Sequence, residues 1–246
     1  GFWTLAVAGP HIRIMVKLPT SSEDEVARFL KEVSEAPASV RSTNERGRLI
    51  FAMDATASRE PTWDRACHIQ SEMFTETSTL GGLAVQLLYY RGFGQCRASK
   101  WAVNPDQLLR FMTSVRCLGG TTQIRKVLKH AIKENTREKV DALVFVGDAM
   151  EEEVDQLCHH AGELGLLNVP VFIFHEGGDP IAERAFRQIT RLSGGAYCPF
   201  DSGSAQQLKE LLSAVAVYAA GGRQALLSYG KKKGGDALRL THQLQG

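Results

Sequence analysis

Three groups of oxygen-bearing side chains lie where predicted strands end or where a predicted helix begins. They are Asp54-Ala55-Thr56-Ala57-Ser58, Gly119-Gly120-Thr121-Thr122 and Asp148. In an extended loop every second side chain lies on the same side, so the hydroxyls of Thr56 and Ser58 can converge with the Asp54 carboxylate. The spacing therefore predicts a cluster of oxygen ligands.

The chemistry of this set favours a hard divalent cation. It combines two carboxylates, Asp54 and Asp148, with neutral hydroxyls, and it includes no histidine or cysteine. Such oxygen donors suit Mg²⁺ or Mn²⁺ better than zinc. Two carboxylates roughly balance the charge of the ion, and the neutral hydroxyls leave it able to attract one more carboxylate. We therefore expect a docking point for an Asp or Glu of another protein.

The elements that would position these groups alternate between strand and helix. Short apolar runs ending at turn residues predict strands at 49–53, 85–90, 142–146, 169–174 and 196–200. Helix-period segments lie between them, at 62–80, 106–115, 124–135, 154–167, 181–192 and 205–219. This rhythm predicts a doubly wound, Rossmann-like α/β sandwich, with a mostly parallel central sheet and helices on both faces. Residues 95–101 follow a Phe93-Gly94 turn and are expected to form one antiparallel edge strand.

The three groups resemble the metal-ion-dependent adhesion site (MIDAS) of von Willebrand factor A (VWA) domains. The family pattern is Asp-x-Ser-x-Ser, then Thr, then Asp; here Thr56 replaces the first Ser and keeps the hydroxyl. The resemblance covers about residues 46–220 and implies the family's fold, including its antiparallel edge strand. It also implies that the hydroxyls bind the ion directly or nearly so, while Asp54 and Asp148 often act through water.

The threonine ligand is either Thr121 or Thr122. Adjacency to the glycine pair favours Thr121, whereas the apolar face of the following helix, which includes Ile124 and Val127, places Thr122 on the inward side. We favour Thr122 because side-chain direction follows the helix register. The predicted metal ligands are therefore Asp54, Thr56, Ser58, Thr122 and Asp148.

Three regions are predicted along the chain. Residues 1–45 comprise a leader, with Met15 as the expected natural start, and a helix at 21–36; residues 46–220 form the VWA-like domain; residues 221–246 are a Gly/Lys-rich tail. With 43% hydrophobic and 23% charged residues, the composition is that of a globular protein. A net charge of +2 does not favour a nucleic-acid or anionic-membrane partner.

The cysteines and the N-terminus indicate where the protein works. There are five cysteines, an odd number, and none are in a C-x-x-C spacing, which is typical of free thiols in a reducing compartment. The apolar N-terminal segment lacks the basic region of a signal peptide, and no apolar run is long enough to span a membrane. We expect a bacterial-type cytoplasm, and we do not transfer the adhesive role of extracellular relatives.

The predicted function is metal-dependent protein–protein recognition without catalysis. A metal-dependent phosphohydrolase is one alternative, but haloacid dehalogenase-type enzymes need a second acid where Thr56 stands. A scaffold domain whose metal site has lost its role is another. The run 151–153 (Glu-Glu-Glu) is expected to favour the start of the helix that follows it. His159, His160 and His175 are expected to have structural roles.

Overall fold

A computed structural model of the chain describes residues 21–36, 45–201 and 203–233. Within that part, six strands form one sheet in the order β3-β2-β1-β4-β5-β6. The strands are β1 (Gly47–Asp54), β2 (Leu83–Arg91), β3 (Gln95–Ala102), β4 (Ala142–Gly147), β5 (Val171–Glu176) and β6 (Tyr197–Phe200). The helices are α1 (Ser21–Glu35), α2 (Glu60–Ile69), α3 (Ser71–Thr77), α4 (Pro105–Thr113), α5 (Ile124–Arg137), α6 (Val154–Leu166), α7 (Pro180–Ser193) and α8 (Ala205–Lys233).

Strand order reverses beside β1, which is first in the chain but lies in the middle of the sheet. β1 pairs in parallel with β2 on one side and with β4 on the other, and β4-β5-β6 continue in parallel. Among the described strands only β3 runs antiparallel, paired with β2 at the sheet edge. The predicted α/β class and the antiparallel edge strand are thus confirmed. In sheets of this topology, ligands bind beyond the carboxyl ends of the strands at the reversal.

Alternate residues of β1 enter two separate cores. Leu49, Phe51 and Met53 pack with residues of α1, α2, α3, α4 and α8 on one face of the sheet. Ile50 and Ala52 pack with residues of α5, α6 and α7 on the other face. Complete burial of a side chain such as Phe51 stabilises the fold by about 1.5–3 kcal/mol. Since both faces are covered, β1 is a fixed support for the loop that follows it.

Two helical segments differ from the prediction. The single helix expected at 62–80 consists of α2, α3 and a 3-10 turn (Ser78–Leu80). At the junction of the two helices the Met73 N–H donates to the carbonyl of Gln70, three residues earlier, at 3.3 Å. Helix α8 continues past the expected end at 219, because Gly222 adopts φ 69°, ψ −167° and allows a second helical stretch after a kink. Glycine alone adopts such backbone angles readily.

The predicted domain boundaries remain a prediction, although the first part of the predicted tail, up to Lys233, is helical. The predicted leader and the residues after Lys233 lie outside the described residues. In the described part of the chain, no helix has the length and apolarity needed to cross a membrane.

Candidate metal centre

The predicted ligands lie around the carboxyl ends of β1 and β4, where strand order reverses. Asp54 is the last residue of β1, and Asp148 directly follows β4. Met53 is paired with Val146, so the two strands end at the same level. The parallel pairing therefore brings together two carboxylates that are far apart in the sequence.

Asp54 is a buried carboxylate held by two hydrogen bonds. Its side chain is almost fully shielded from solvent. Its Oδ1 accepts from the Thr56 backbone N–H at 2.7 Å, and its Oδ2 accepts from the Tyr90 hydroxyl at 3.2 Å. Burial raises the pKa of Asp54, the bonds from Thr56 and Tyr90 oppose this, and the nearby charge of Asp148 raises it further. A cation at this position would relieve both burial and repulsion.

Tyr90 fixes the orientation of Asp54 from the second strand. The ring is fully buried and stacks on Phe145 at 6.1 Å between centroids. Burial raises the pKa of Tyr90 well above its ordinary value, and the charge of Asp54 adds to this. The hydroxyl therefore stays protonated and donates to Asp54. Sequence analysis did not identify Tyr90, because nothing in an apolar strand marks which polar atom meets a distant carboxylate.

The loop after β1 is extended only as far as Thr56. Ala57–Arg59 form a 3-10 turn, in which the Arg59 N–H donates to the Thr56 carbonyl at 2.9 Å. The expectation of an extended loop up to Ser58 is therefore wrong, because the turn bond rotates Ser58 out of the strand direction. Ser58 is exposed, and Arg59 Nε approaches its hydroxyl at 3.4 Å. Whether Thr56 and Ser58 bind a metal remains a prediction.

Thr122 faces inward and Thr121 faces solvent. The Thr122 N–H donates to Glu151 Oε2 at 3.0 Å, and the Glu151 N–H donates to Thr122 Oγ1 at 3.1 Å. Thr122 is buried, whereas Thr121 is exposed. This arrangement ties the loop before α5 to the loop after β4, and it leaves a lone pair on Thr122 Oγ1 for another partner. The choice of Thr122 over Thr121 as a metal ligand remains a prediction.

Gly120 is required by close approach of two loops. A Cβ atom there would lie 2.1 Å from the carbonyl oxygen of Gly92, whereas one at Gly119 would meet nothing within 4 Å. The Thr121 N–H donates to the same Gly92 carbonyl at 3.2 Å. The turn between β2 and β3 thus supports the loop that carries Thr122.

The acidic run after Asp148 serves a different helix from the one expected. Glu152 accepts from the Ile124 N–H at 2.5 Å and from the Arg125 N–H at 3.0 Å, which caps the start of α5. Glu153 precedes α6 but makes no side-chain capping bond. The expectation that the run favours the start of α6 is therefore wrong for Glu152. The sequence could not show it, because the partners are 27 and 28 residues apart.

Arg59 contacts Asp148 at the candidate site, and sequence analysis missed this residue. Its Nη2 lies 3.1 Å from Asp148 Oδ2, and its Nη1 lies 2.5 Å from Glu176 Oε2. Glu176 ends β5 and also accepts from the Thr62 hydroxyl at 2.6 Å. The guanidinium therefore links two neighbouring carboxylates at the carboxyl ends of β4 and β5. The feature of the sequence that could have drawn attention to Arg59 is its position directly after the Asp-x-Thr-x-Ser pattern.

His175 supports the backbone of Asp148. Its Nε2 lies 3.2 Å from the Asp148 carbonyl oxygen, and its Nδ1 lies 2.8 Å from the Tyr197 hydroxyl. Burial lowers the pKa of His175, so the neutral ring donates through Nε2 and accepts at Nδ1. This agrees with the structural role predicted for His175.

A cavity of about 640 Å³ adjoins Asp148. Glu25, Arg59, Asp148, Glu176 and Asp201 are among the residues that line it. Carboxylates predominate in this group, and Arg59 is the cation that contacts two of them. The open space next to Asp148 leaves room for a group from another molecule.

A second group of possible ligands lies on α6, outside the loops that carry the predicted ligands. In the described part of the chain, His159, His160 and Glu163 have ligand atoms within 4.8 Å of one another. Two imidazoles suit softer ions such as zinc, whereas the carboxylates and hydroxyls of the candidate site suit Mg²⁺ or Mn²⁺. The buried Asp54, its neighbour Asp148 and the inward Thr122 hydroxyl are together compatible with a hard divalent ion.

Comparisons with known proteins identify the fold. No protein-family model matches the chain, and the search of curated proteins finds no match. The SpRpn10 VWA domain is similar in structure, with a TM-score of 0.52 and 14% identity over 68% of this chain and 94% of that one. Proximal thread matrix protein 1 from the mussel byssus, with a zinc-occupied MIDAS motif, gives a TM-score of 0.57 and 12% identity over 72% of this chain.

The pilus adhesin SpaC from Lactobacillus rhamnosus GG, in an open conformation, gives a TM-score of 0.54 and 13% identity over 78% of this chain. The matches cover only 47% of the mussel protein and 31% of the adhesin. The chain therefore has the VWA fold, as predicted.

Proposed function

We propose that this domain recognises a partner protein through a divalent metal, Mg²⁺ or Mn²⁺, and that the partner contributes an Asp or Glu carboxylate. The proposed ligands are Asp54, Thr56, Ser58, Thr122 and Asp148. The observation that carries the proposal is the buried Asp54 carboxylate, close to Asp148, at the strand-order reversal of a VWA fold. The mussel byssus protein, which has a similar fold, holds zinc in its MIDAS motif, and this supports a metal at the corresponding end of this chain.

The protein's own residues prepare such a site. The Thr56 N–H and the Tyr90 hydroxyl hold the Asp54 carboxylate in one orientation, and the Glu151 backbone N–H holds Thr122 Oγ1. His175 holds the backbone of Asp148. When bound, the ion would supply a positive charge and a coordination position that an outside carboxylate can fill.

Catalysis is not part of the proposal, because two acid–base groups near the site, His175 and Glu152, have other bonds. Both ring nitrogens of His175 have partners, and Glu152 accepts from the first N–H groups of α5. Hydrolysis at a metal site generally needs a group that is placed to activate water. A phosphohydrolase of the haloacid dehalogenase type would also need an acid at the position of Thr56.

The proposed setting is a reducing, bacterial-type cytoplasm. All five cysteines are unpaired thiols. Burial raises the pKa of the Cys67, Cys96 and Cys117 thiols to about 11, so they behave as unreactive apolar side chains. Such thiols are typical of proteins that do not depend on disulfides.

The test is capture of partners from a native lysate by the immobilised chain in Mg²⁺, in Ca²⁺ and in chelator. We expect specific capture in Mg²⁺, weaker capture in Ca²⁺ because its longer bonds fit a small site poorly, and none in chelator. Changing the candidate acids of the captured partner to amides should abolish binding. Capture that is unaffected by chelator would contradict the proposal.

A matched pair of threonine variants makes the test specific to the site. We expect Thr122→Ala to lower Mg²⁺-dependent capture by about tenfold or more, because it removes a metal ligand. Thr121→Ala changes an exposed neighbour and should leave capture within about twofold of the wild type. Hydrolysis of a generic aryl phosphate by the wild-type chain, lost in Asp54→Asn, would instead support the phosphohydrolase alternative.

A further inference from the structure

We propose that Arg59 is a built-in cation that competes with the divalent metal for Asp148 and so sets the metal affinity of the site. The proposal rests on the proposed function, since it concerns the same site. It assigns a role to a residue outside the five predicted ligands. It also explains why a guanidinium lies next to a carboxylate that a metal would need.

The geometry places the Arg59 guanidinium against the Asp148 carboxylate. Arg59 directly follows Ser58, and the 3-10 turn at 57–59 directs its side chain towards the end of β4. Its Nη2 lies 3.1 Å from Asp148 Oδ2. The Arg59 side chain is only 14% exposed, and that of Asp148 is 27% exposed, so solvent screens this pair less than a surface pair.

The guanidinium of Arg59 brings a positive charge to the carboxylate for which a metal would compete. An arginine in a protein does not lose its proton, so a divalent ion at Asp148 would face a third positive charge in contact with the same carboxylate. Repulsion between like charges at a few ångströms in a partly buried site changes binding by a factor of ten or more. A metal that used Asp148 Oδ2 would therefore take this oxygen from the guanidinium.

Glu176 gives Arg59 a second partner during this exchange. The Glu176 side chain is 7% exposed, accepts from the Thr62 hydroxyl and is ion-paired with Arg59 Nη1. A planar guanidinium can keep one carboxylate while it releases another, because its donors point along separate directions. Asp148 can thus change partner while Arg59 stays on Glu176. The site has an ion-paired, metal-free form and a form in which Asp148 is available to the metal.

Isothermal titration of Mg²⁺ into the full chain at neutral pH tests this role. Arg59→Gln alone would leave Glu176 buried without its cation, so the main variant is the double variant Arg59→Gln/Glu176→Gln. This pair leaves the net charge unchanged, because the competitor of the metal is removed together with its second carboxylate partner. Mg²⁺ is chosen because it does not favour the histidine cluster on α6. Arg137→Gln, which removes an exposed arginine paired with Glu134, is the control for loss of an arginine outside the site.

We expect the double variant to bind Mg²⁺ about tenfold more tightly than the wild type, and Arg137→Gln to match the wild type. Arg59→Lys keeps a charge for Glu176 but cannot bridge two carboxylates with a planar fork, so it should bind more tightly by a smaller factor. Melting in chelator verifies that each variant is folded. If the double variant does not fold, Arg59→Lys decides the question alone.

The outcomes separate the two proposals. Mg²⁺ affinities within about threefold of the wild type, or weaker, would overturn the role of Arg59 and leave the metal site in place. Mg²⁺ binding by the variant but not by the wild type would support the role of Arg59 and contradict the proposed function. Binding by neither protein would overturn both.

Discussion

Asp54 combines two features that are unfavourable in a protein without a metal. Its carboxylate is buried, and the charge of Asp148 is close enough to raise its pKa. Two hydrogen bonds offset part of this cost. A residue kept in such a position for stability alone would be better replaced by a neutral one. The arrangement is therefore typical of a binding site.

Asp54→Asn should leave the fold intact and weaken Mg²⁺ binding. Asparagine keeps an acceptor oxygen and removes the buried charge, so the melting temperature in chelator should equal or exceed that of the wild type. The same change should weaken Mg²⁺ binding by at least about tenfold, because a charged ligand is lost. Differential scanning calorimetry and metal titration measure the two effects. A clear fall in the melting temperature in chelator would mean that Asp54 is a structural cap of the loop.

At the residue scale the sequence predicted the positions of the two carboxylates more readily than the residues that contact them. Asp54 and Asp148 could be predicted because each follows an apolar strand, and parallel strands end at one edge. Tyr90 and Arg59 could not be assigned in the same way, because their contacts with Asp54 and Asp148 depend on side-chain direction across the sheet. The sequence predicts an extended loop at Ser58, whereas the structure has a 3-10 turn there.

At the scale of elements, the loop before α5 depends on its contact with the turn between β2 and β3. Gly120→Ala would place a Cβ 2.1 Å from the Gly92 carbonyl, so the two loops would have to separate. We expect a loss of about 1–3 kcal/mol in stability and weaker Mg²⁺ binding, because Thr122 lies on the displaced loop. Chemical denaturation and metal titration provide the measurements.

The adjacent glycine is the control for this prediction. A Cβ at Gly119 meets nothing within 4 Å, so Gly119→Ala should change stability by less than about 0.5 kcal/mol. Equal effects of the two substitutions would show that the contact with Gly92 does not position the loop.

The order and class of the elements could be predicted, but their junctions could not. Strand β4 follows from its unbroken apolar run, and the edge strand β3 from its short turn after β2. The division between α2 and α3 and the kink of α8 at Gly222 depend on local hydrogen bonding and on a positive φ, and the apolar pattern reports neither. The capping of α5 by Glu152 is a contact between loops that only the packed sheet brings together.

At the scale of the whole molecule, an exposed aromatic side chain lies near the candidate metal site. Phe93, at the turn between β2 and β3, is 87% exposed. The turn is held in place, because Gly92 accepts from the Thr121 N–H and Gly94 accepts from Lys126 Nζ at 2.9 Å. A large apolar side chain on a fixed turn beside a candidate binding site is typical of a contact residue for a protein partner.

We therefore expect Phe93→Ala to weaken Mg²⁺-dependent capture by about tenfold while Mg²⁺ affinity stays unchanged, since the side chain touches the partner and not the ion. Leu166→Ala is the matched control, because Leu166 is also 87% exposed but ends α6, outside the loops that carry the predicted ligands. Surface plasmon resonance with the captured partner gives both values. Equal losses from the two substitutions would contradict a docking face at the metal site.

The proposed function depends on a hard divalent ion bound among Asp54, Thr56, Ser58, Thr122 and Asp148. Anomalous diffraction from crystals grown with Mn²⁺ would locate such an ion, because manganese scatters anomalously. We predict one strong peak about 2.0–2.3 Å from the Thr122 hydroxyl oxygen, with Asp54 and Asp148 bound directly or through water. A manganese peak only elsewhere on the molecule, with Arg59 still paired to Asp148, would contradict the proposed metal site.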